Sequence, residues 1–514
     1  MSEQRQILKN SQIMVVVTSL SRVFGLVRDQ LIAFLLGATR LGDVWAISFM
    51  MPNLFRRLIG EGAMSSAFVP ILSELTEGGE KEKAREFSRC IFSMILLMAC
   101  LIVTAVILTA PVILPWILKI MAPGRSMPSP EVHEQIIGPT QLMFPYLIFI
   151  SLAAICQGVL NVNNRFALPA ATPILLNICI ISFGFLLKDQ WSSPIWGLCI
   201  GVLVGGFCQF FLQWIRLYGM GYRLFPVLHF WNKETYEAIR LWLPTTFSAG
   251  VVQINALVSS MIAINLVEGG AIALANSNRL MELILGVFTV ALSTTLLPAM
   301  SRQRSRKDHQ GMSDSLFAGL GVMSLITIPA GLGLMLAGPS LIRILFMRGA
   351  FDEYGVILTY GALIFHGMAL LPISLYRLVV QTFYAHKQVK VVVVIAAMGA
   401  LVNIVGCFTL PQFFDQNLRH CGVALATLIS SWFLFLTTAL TAWKRFSLVW
   451  PRQLTWDLLK ILAASCAFIP LWLGRPEQMS FLVFVIKVLG SVCIYGILAF
   501  VFRVSAFRRI IHRK

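Results

Sequence analysis

Acidic residues are scarce in this chain: 23 Asp and Glu among 514 residues, against 41 Lys and Arg, with the four charged types together only 12%. Soluble domains carry about twice that share of charge, so a water-facing globular fold is excluded. Paired cysteines are missing as well. The ten cysteines stand singly, as at Cys156, Cys179, Cys199 and Cys208, and read as small apolar fillers rather than a disulfide framework or a zinc site. The seven histidines, among them His366, His386 and His420, form no HExxH pair, and no GxxxxGK[ST] phosphate loop occurs. No metal, cofactor or enzymatic chemistry is expected, and any transport must draw on a gradient, the membrane potential or the substrate itself.

What is abundant is apolar sequence, with 57% hydrophobic residues. Stretches long enough to cross a bilayer as helix, about 20 residues, recur at 11–37, 43–70, 88–118, 136–160, 167–187, 194–217, 238–265, 270–299, 314–337, 353–384, 389–410, 421–443, 456–474 and 480–503. The predicted fold class is therefore an all-α polytopic membrane protein of about fourteen spans. Residues 1–10 are polar, carry Arg5 and Lys9 and precede no small-residue cleavage site, so a cleaved signal peptide is not expected.

Lys and Arg in short loops mark the cytoplasmic side. With the N-terminus inside, that side collects Lys81, Lys83, Arg85 and Arg89, then Arg216, Arg223, Lys233 and Arg240, then Arg302, Arg304, Arg306 and Lys307. Lys444, Arg445, Arg452 and the tail Arg503, Arg508, Arg509, Arg513 and Lys514 join them, whereas the opposite loops hold only scattered cations such as Arg40, Arg125 and Lys188. Both termini are expected in the cytoplasm. The formal net charge of +18 is largely this asymmetry, so no nucleic-acid partner is expected.

Sliding the chain on itself by 228 positions aligns Gly42 with Gly270, Ser65 and Ser66 with Ser293 and Thr294, Pro70 with Pro298, and Ser73 with Ser301. Six spans separate the copies, giving two parallel lobes related by an axis along the membrane normal. The same offset sets Arg22 against Gly250, Arg28 against Ala256, Arg56 against Ile284, Arg57 against Leu285 and Glu61 against Thr289, while Arg279 faces Met51. The helices repeat and the charges do not. A charge exposed at the bilayer centre costs at least ~2.5–3.5 kcal/mol, so cations present in one copy only point to function rather than architecture.

Local neutralisation remains an alternative for individual residues. Arg57 with Glu61 at i,i+4 and Arg279 with Glu282 at i,i+3 are spaced to pair on one helix, so Glu61 and Glu282 could serve only to hold an arginine. Arg22 and Asp29 lie on nearly one helical face. Arg28 points elsewhere and is expected to be the cation with least local compensation. Gly25 lies between them and lets the helix bend.

The run Ser21-Arg-Val-Phe-Gly-Leu-Val-Arg-Asp29, then Gly42-Asp43, Pro52-Asn-Leu-Phe-Arg-Arg-Leu-Ile-Gly-Glu-Gly-Ala63 and Ala67-Phe-Val-Pro-Ile-Leu72, closely resembles the MurJ/MviN family. Asn278-Arg-Leu-Met-Glu282, Leu296-Leu-Pro298 and Leu345-Phe-Met-Arg-Gly-Ala-Phe351 extend the resemblance along the chain. It implies a lipid II flippase of the multidrug/oligosaccharidyl-lipid/polysaccharide exporter superfamily in the bacterial cytoplasmic membrane. Such a protein moves the undecaprenyl-pyrophosphate-linked disaccharide-pentapeptide to the outer leaflet. The implied layout is a cytoplasmic N-terminus at 1–10, an N-lobe at 11–217, a cytoplasmic linker at 218–237 and a C-lobe at 238–443. Two lipid-tail groove helices at 444–503 and a basic tail at 504–514 complete it.

The resemblance assigns substrate binding to Arg22, Arg28 and Arg279 and gating or support to Asp43, Arg56, Glu61 and Glu282; Ser21, Gly25, Asp29 and Arg57 join the gating or supporting set from their own positions beside these residues. It implies lipid II, membrane lipids and peptidoglycan synthesis enzymes as partners. Guanidinium suits a pyrophosphate, being permanently charged and forked to match its oxygens. One departure bears on coupling. After Phe383-Tyr384 the family commonly has an acidic residue and a proline, whereas this chain runs Ala385-His-Lys-Gln-Val-Lys390, and the seventh span has no acidic residue. Asn403 alone is too poor a ligand set for sodium, so potential-driven transport is the expectation. The alternatives are another polyprenyl-pyrophosphate sugar or a drug as cargo, and a non-transporting scaffold for wall synthesis. A scaffold would have no need of mid-membrane arginines.

Overall fold

The computed structural model describes residues 3–58, 63–122, 130–446, 448, 451–474 and 479–507. Helix is the only regular structure among them, as expected where lipid offers no partner for backbone groups. In chain order the helices are α1 (Glu3–Leu36), α2 (Arg40–Arg56), α3 (Ala63–Glu77), α4 (Lys81–Ile120), α5 (Pro130–Met143) and α6 (Tyr146–Val162). Next come α7 (Ala167–Leu186), α8 (Ile195–Tyr218), α9 (Lys233–Leu266), α10 (Gly270–Ile284), α11 (Val290–Ser305) and α12 (His309–Phe346). The last are α13 (Glu353–Ala385), α14 (Val389–Thr409), α15 (His420–Phe446), α16 (Arg452–Cys466) and α17 (Phe481–Val501).

Among the described residues, each of the predicted apolar stretches falls largely on helix. Ten helices among the described residues are individually long and apolar enough to cross a membrane. The first, second, seventh and eighth stretches fall outside that set. They are the two pairs related by the internal repeat. The first carries Arg22, Arg28 and Asp29 in α1, and the eighth carries Arg279 and Glu282 in α10.

The repeat is written into the helix ends. Arg56 and Ile284 end α2 and α10, Glu77 and Ser305 end α3 and α11, Lys81 and His309 begin α4 and α12, and Tyr218 and Phe446 end α8 and α15. Each pair is 228 residues apart. A π-helical turn opens at Arg57 in one copy and at Leu285 in the other, again 228 apart, and a proline sits inside the following helix at Pro70 and Pro298. A π turn inserts one residue into the helical register and re-aims everything after it.

The contact network separates two compact units, Met1–Met261 and Ile262–Lys514, the division falling inside α9. In the first, α1 packs on α7, α7 on α8, α2 on α5, and α6 on both α4 and α8. Its interior is aromatic, with Phe68 and Phe87 stacked at 5.4 Å and Phe144 and Tyr146 fully buried. A Ser48–Thr140 hydroxyl pair at 2.9 Å joins α2 to α5. In the second, α13 is central and packs on α10, α11, α12 and α15 around Met300, Met323, Leu378, Phe383 and Phe446.

Small residues let these helices close on one another without a hydrophobic drive from lipid. A Cβ on Gly201 of α8 would stand 2.7 Å from the Ile180 Cα of α7, so the two backbones touch there. The last two helices differ from the rest. α17 buries only Ser491 and Ala499, and its Tyr495 hydroxyl donates to the Leu325 carbonyl of α12 at 2.6 Å. Asp457 of α16 accepts from the Ser505 backbone N–H at 3.3 Å and from its hydroxyl, holding the segment after α17 against α16.

Candidate functional site

The charged face of α1 is organised around Arg28. Its Nε and Nη2 donate to Asp29 Oδ1 at 3.0 and 2.6 Å, and Nη1 donates to Asn177 Oδ1 of α7 at 3.1 Å. The guanidinium lies over the Phe49 ring of α2, 5.5 Å from its centroid. Both side chains of the ion pair are only 13 and 14% exposed. Asn177, buried in α7, donates back to the Ser21 carbonyl at 3.4 Å. Three helices thus hold one cation, and Gly25 is buried one turn before it.

This corrects the expectation that Arg28 has least local compensation. Successive Cβ atoms diverge by about 100° around a helix, but the long arginine stem wraps back far enough for its fork to meet the short carboxylate beside it. Of the partners, Asn177 and Phe49 were not among the predicted residues. Phe49 had no distinguishing signal. Asn177 was visible as an amide inside an apolar span, the kind of polar residue that lipid-facing sequence avoids.

Arg22, one and a half turns before Arg28, is half-buried, as is Ser21. On α2, Asp43 is fully buried in the first turn, and Arg56 near the end donates from Nε to Asn53 Oδ1 at 3.0 Å. Trp45 and Phe49 stack at 5.2 Å on the same helix. Arg57 is exposed and donates to Gln253 Oε1 of α9 at 3.3 Å. Leu58 lies beside Gly250 of α9, so the end of α2 and this part of α9 are neighbours within the first unit. Glu61 lies outside the described residues.

In the second unit, α10 carries half-buried Arg279 and exposed Glu282. Glu282 acts electrostatically on Arg377 of α13, a cation inside the tenth predicted span that sequence reasoning passed over. Two residues before Arg279, the Ser277 hydroxyl lies 3.0 Å from the Leu274 carbonyl, to which it donates, and 2.8 Å from His366 Nδ1 of α13, tying α10 to α13. The π turn at Leu285–Thr289 is tied to α13 by a Thr289–Ser374 hydroxyl pair at 3.3 Å, fixing the end of the segment that carries Arg279.

The first unit therefore holds the clamped Arg28 on α1, with Arg22 on the same helix and Arg56 at the end of α2. The second holds Arg279 with Glu282 and Arg377. Among the described residues no cluster of His, Cys, Asp and Glu has the make-up of a metal site.

The family profile described as Lipid II flippase MurJ matches residues 32–491. A lipid II flippase MurJ from Burkholderia cenocepacia is 32% identical over 419 residues, covering 80% of this chain and 78% of that protein. A probable lipid II flippase MurJ from Vibrio cholerae is 32% identical over 441 residues, 85% of this chain and 82% of the relative. Among solved structures, a lipid II flippase MurJ in an inward closed conformation superposes with a TM-score of 0.78 at 26% identity, covering 97% of this chain and 99% of the other. An inward-facing multidrug resistance MATE family transporter of the MOP superfamily shares the fold, at TM-score 0.69 and 13% identity over 85% of this chain and 98% of its own.

Proposed function

Because the chain belongs to the lipid II flippase MurJ family, we propose that it carries lipid II from the inner to the outer leaflet of the bacterial cytoplasmic membrane. It is a transporter and performs no bond chemistry. Arg22, Arg28 and Arg279 bind the pyrophosphate, whose charge and acceptor oxygens match guanidinium. Asp29 and Asn177 keep Arg28 in one rotamer, so less side-chain entropy is lost when the anion arrives. Asp43, Arg56, Arg57, Glu61 and Glu282 support or gate the passage, and Ser21 and Gly25 let α1 flex as access alternates.

The observation that carries this reading is the Arg28 guanidinium, largely buried and fixed from three helices in a chain of this family. A structural arginine would be as well served by a repeat copy, and the position 228 residues on is Ala256. The layout of two six-span lobes, with 444–503 framing a groove for the lipid tail, belongs to the same proposal. So do cytoplasmic termini and association with peptidoglycan synthesis enzymes. The nearly unburied surface of α17 favours a lipid-contacting role.

The test is a vesicle assay with purified protein and fluorescent lipid II. Flipping by the wild type and its loss in Arg28→Ala support the proposal. Flipping of a different polyprenyl-pyrophosphate sugar in preference to lipid II would redirect it, and no flipping of either would leave the scaffold reading.

A further inference from the structure

The segment 219–232, which joins α8 to α9, has no regular secondary structure, is well tied down and is unusually apolar for a connection on the basic side of the protein. Val227 N–H donates to Ser93 Oγ of α4 at 2.8 Å, Cys90 of α4 contacts the His229 carbonyl at 3.6 Å, and Asn232 Nδ2 reaches the same sulfur at 3.6 Å. Trp214 Nε1 donates to the Leu224 carbonyl at 3.1 Å, fixing the other end to α8. The segment is therefore clamped along α4.

That clamp sets its depth. Arg89 is the last charge on α4 until Lys119, and Ser93 lies one turn further on, about 6 Å along the axis. Val227 is held level with Ser93, past the last charge and at the start of the apolar run. Leu228 beside it is 99% exposed, and Phe225, Trp231, Tyr236 and Tyr218 also turn outward. A row of apolar and aromatic side chains at that level has the composition of a membrane–water interface. Irregular backbone is not tolerated in the hydrocarbon itself, which places the segment among the headgroups with Leu228 and Trp231 reaching inward.

Cations stand at the α8 end of the same surface. The Arg85 guanidinium lies 5.9 Å from the Tyr222 ring centroid, and that of Arg223 lies 5.8 Å from Tyr218. Both are exposed, neither forms an ion pair among the described residues, and Arg216 in the last turn of α8 adds a third charge. Acids also stand on this face: Glu80 pairs with Lys83 at the start of α4, and Glu86 of α4 and Glu234 of α9 both act on Cys90, while Arg85 and Arg223 pair with none of them. An arginine stacked on an aromatic ring keeps its N–H edges available for phosphate.

We infer that residues 219–232 form an interfacial anchor that docks on anionic phospholipid, with Arg85, Arg216 and Arg223 taking headgroup phosphates and Leu228 and Trp231 entering the leaflet. The stretch is a membrane-seated strap and not a free cytoplasmic linker. This stands apart from the cargo assignment, since none of its residues belongs to the arginine site of α1 or α10.

The experiment uses full-length protein in vesicles of phosphatidylcholine with or without phosphatidylglycerol. A bimane probe is attached at Leu228→Cys after Cys466 and Cys493, the two exposed native thiols, are changed to serine, with the parent lacking Leu228→Cys as background. Quenching by lipid spin-labelled near the headgroup, with little quenching by aqueous iodide, is expected. In parallel, enrichment of labelled phosphatidylglycerol around the protein is measured for Arg85→Gln and Arg223→Gln. Each is expected to reduce it about five-fold, the factor equivalent to about 1 kcal/mol per basic residue near an anionic surface. Strong iodide quenching without lipid quenching overturns the proposal. So does unchanged enrichment in both variants, and so does a probe shielded from both quenchers only in native membranes, which would mean a protein partner covers the strap.

Discussion

Arg28 and Asp29, adjacent in sequence, form an ion pair in which Nε and Nη2 of the arginine converge on a single carboxylate oxygen, Oδ1, at 3.0 and 2.6 Å. The third guanidinium nitrogen, Nη1, stands outside that pair and donates to Asn177 Oδ1 at 3.1 Å. The carboxylate compensates the cation and the amide of α7 orients it, so under the proposed function the two residues of the pair have separable roles.

Arg28→Ala is expected to lower lipid II flipping at least tenfold, since hydrogen bonds to charged groups are worth about 1.5–3 kcal/mol each. Asp29→Asn keeps the cation and loses only its orientation, so its rate should lie between wild type and Arg28→Ala. The vesicle assay checks both, with protein levels in the membrane as control. A rate for Asp29→Asn as low as for Arg28→Ala would show that the carboxylate itself takes part in transport.

Arg279→Ala should fail to support wall synthesis in a depletion strain while still accumulating in the membrane. Arg279→Lys should restore growth only partly, because a point charge loses the forked geometry. Full growth with either variant at normal expression would remove Arg279 from the site.

Packing predicts a contrast between two glycines. A Cβ on Gly201 would stand 2.7 Å from the Ile180 Cα and 2.8 Å from the Cys179 carbonyl oxygen, whereas one on Gly333 meets nothing within 4 Å. Gly201→Ala should destabilise by about 1–3 kcal/mol through overpacking. Gly333→Ala should be neutral or stabilise by up to about 1 kcal/mol through helix entropy. Thermal unfolding in detergent reads both.

Energetics gives a fourth prediction. Moving one charge across 100 mV is worth about 2.3 kcal/mol, so an inside-negative potential favours outward passage of an anionic head group and inward return of an empty cationic site. Collapsing the potential with a potassium ionophore should stop flipping, and replacing sodium with potassium at fixed potential should not. Activity that follows sodium and ignores potential would require a ligand set beyond Asn403, whose amide donates to Thr427 Oγ1 at 3.3 Å.

The helical spans and their repeat were legible because lipid forces apolar length and backbone closure onto the sequence, and both survive in one-dimensional hydropathy. The Arg28–Asp29 pair was not, because helical spacing describes where Cβ atoms point and not how far a four-atom stem can reach. Asn177 is 149 residues from Arg28, a pairing no local pattern carries. The π turns at Arg57 and Leu285 are equally silent in sequence, since a one-residue slip over a single turn leaves the apolar content of the span unchanged. Arg377, by contrast, stood in plain view as a charge inside an apolar stretch.

Those two π turns also bear on how the halves are related. They open 228 residues apart, in step with the ends of the helices around them, which is the signature of a feature copied when an ancestral half-length chain was duplicated. Arg22, Arg28, Arg56 and Arg57 in one half and Arg279 in the other have no counterparts across the same offset. The bend is thus common to both halves while the charges around it are not: the two copies share a backbone device and differ in the chemistry placed beside it.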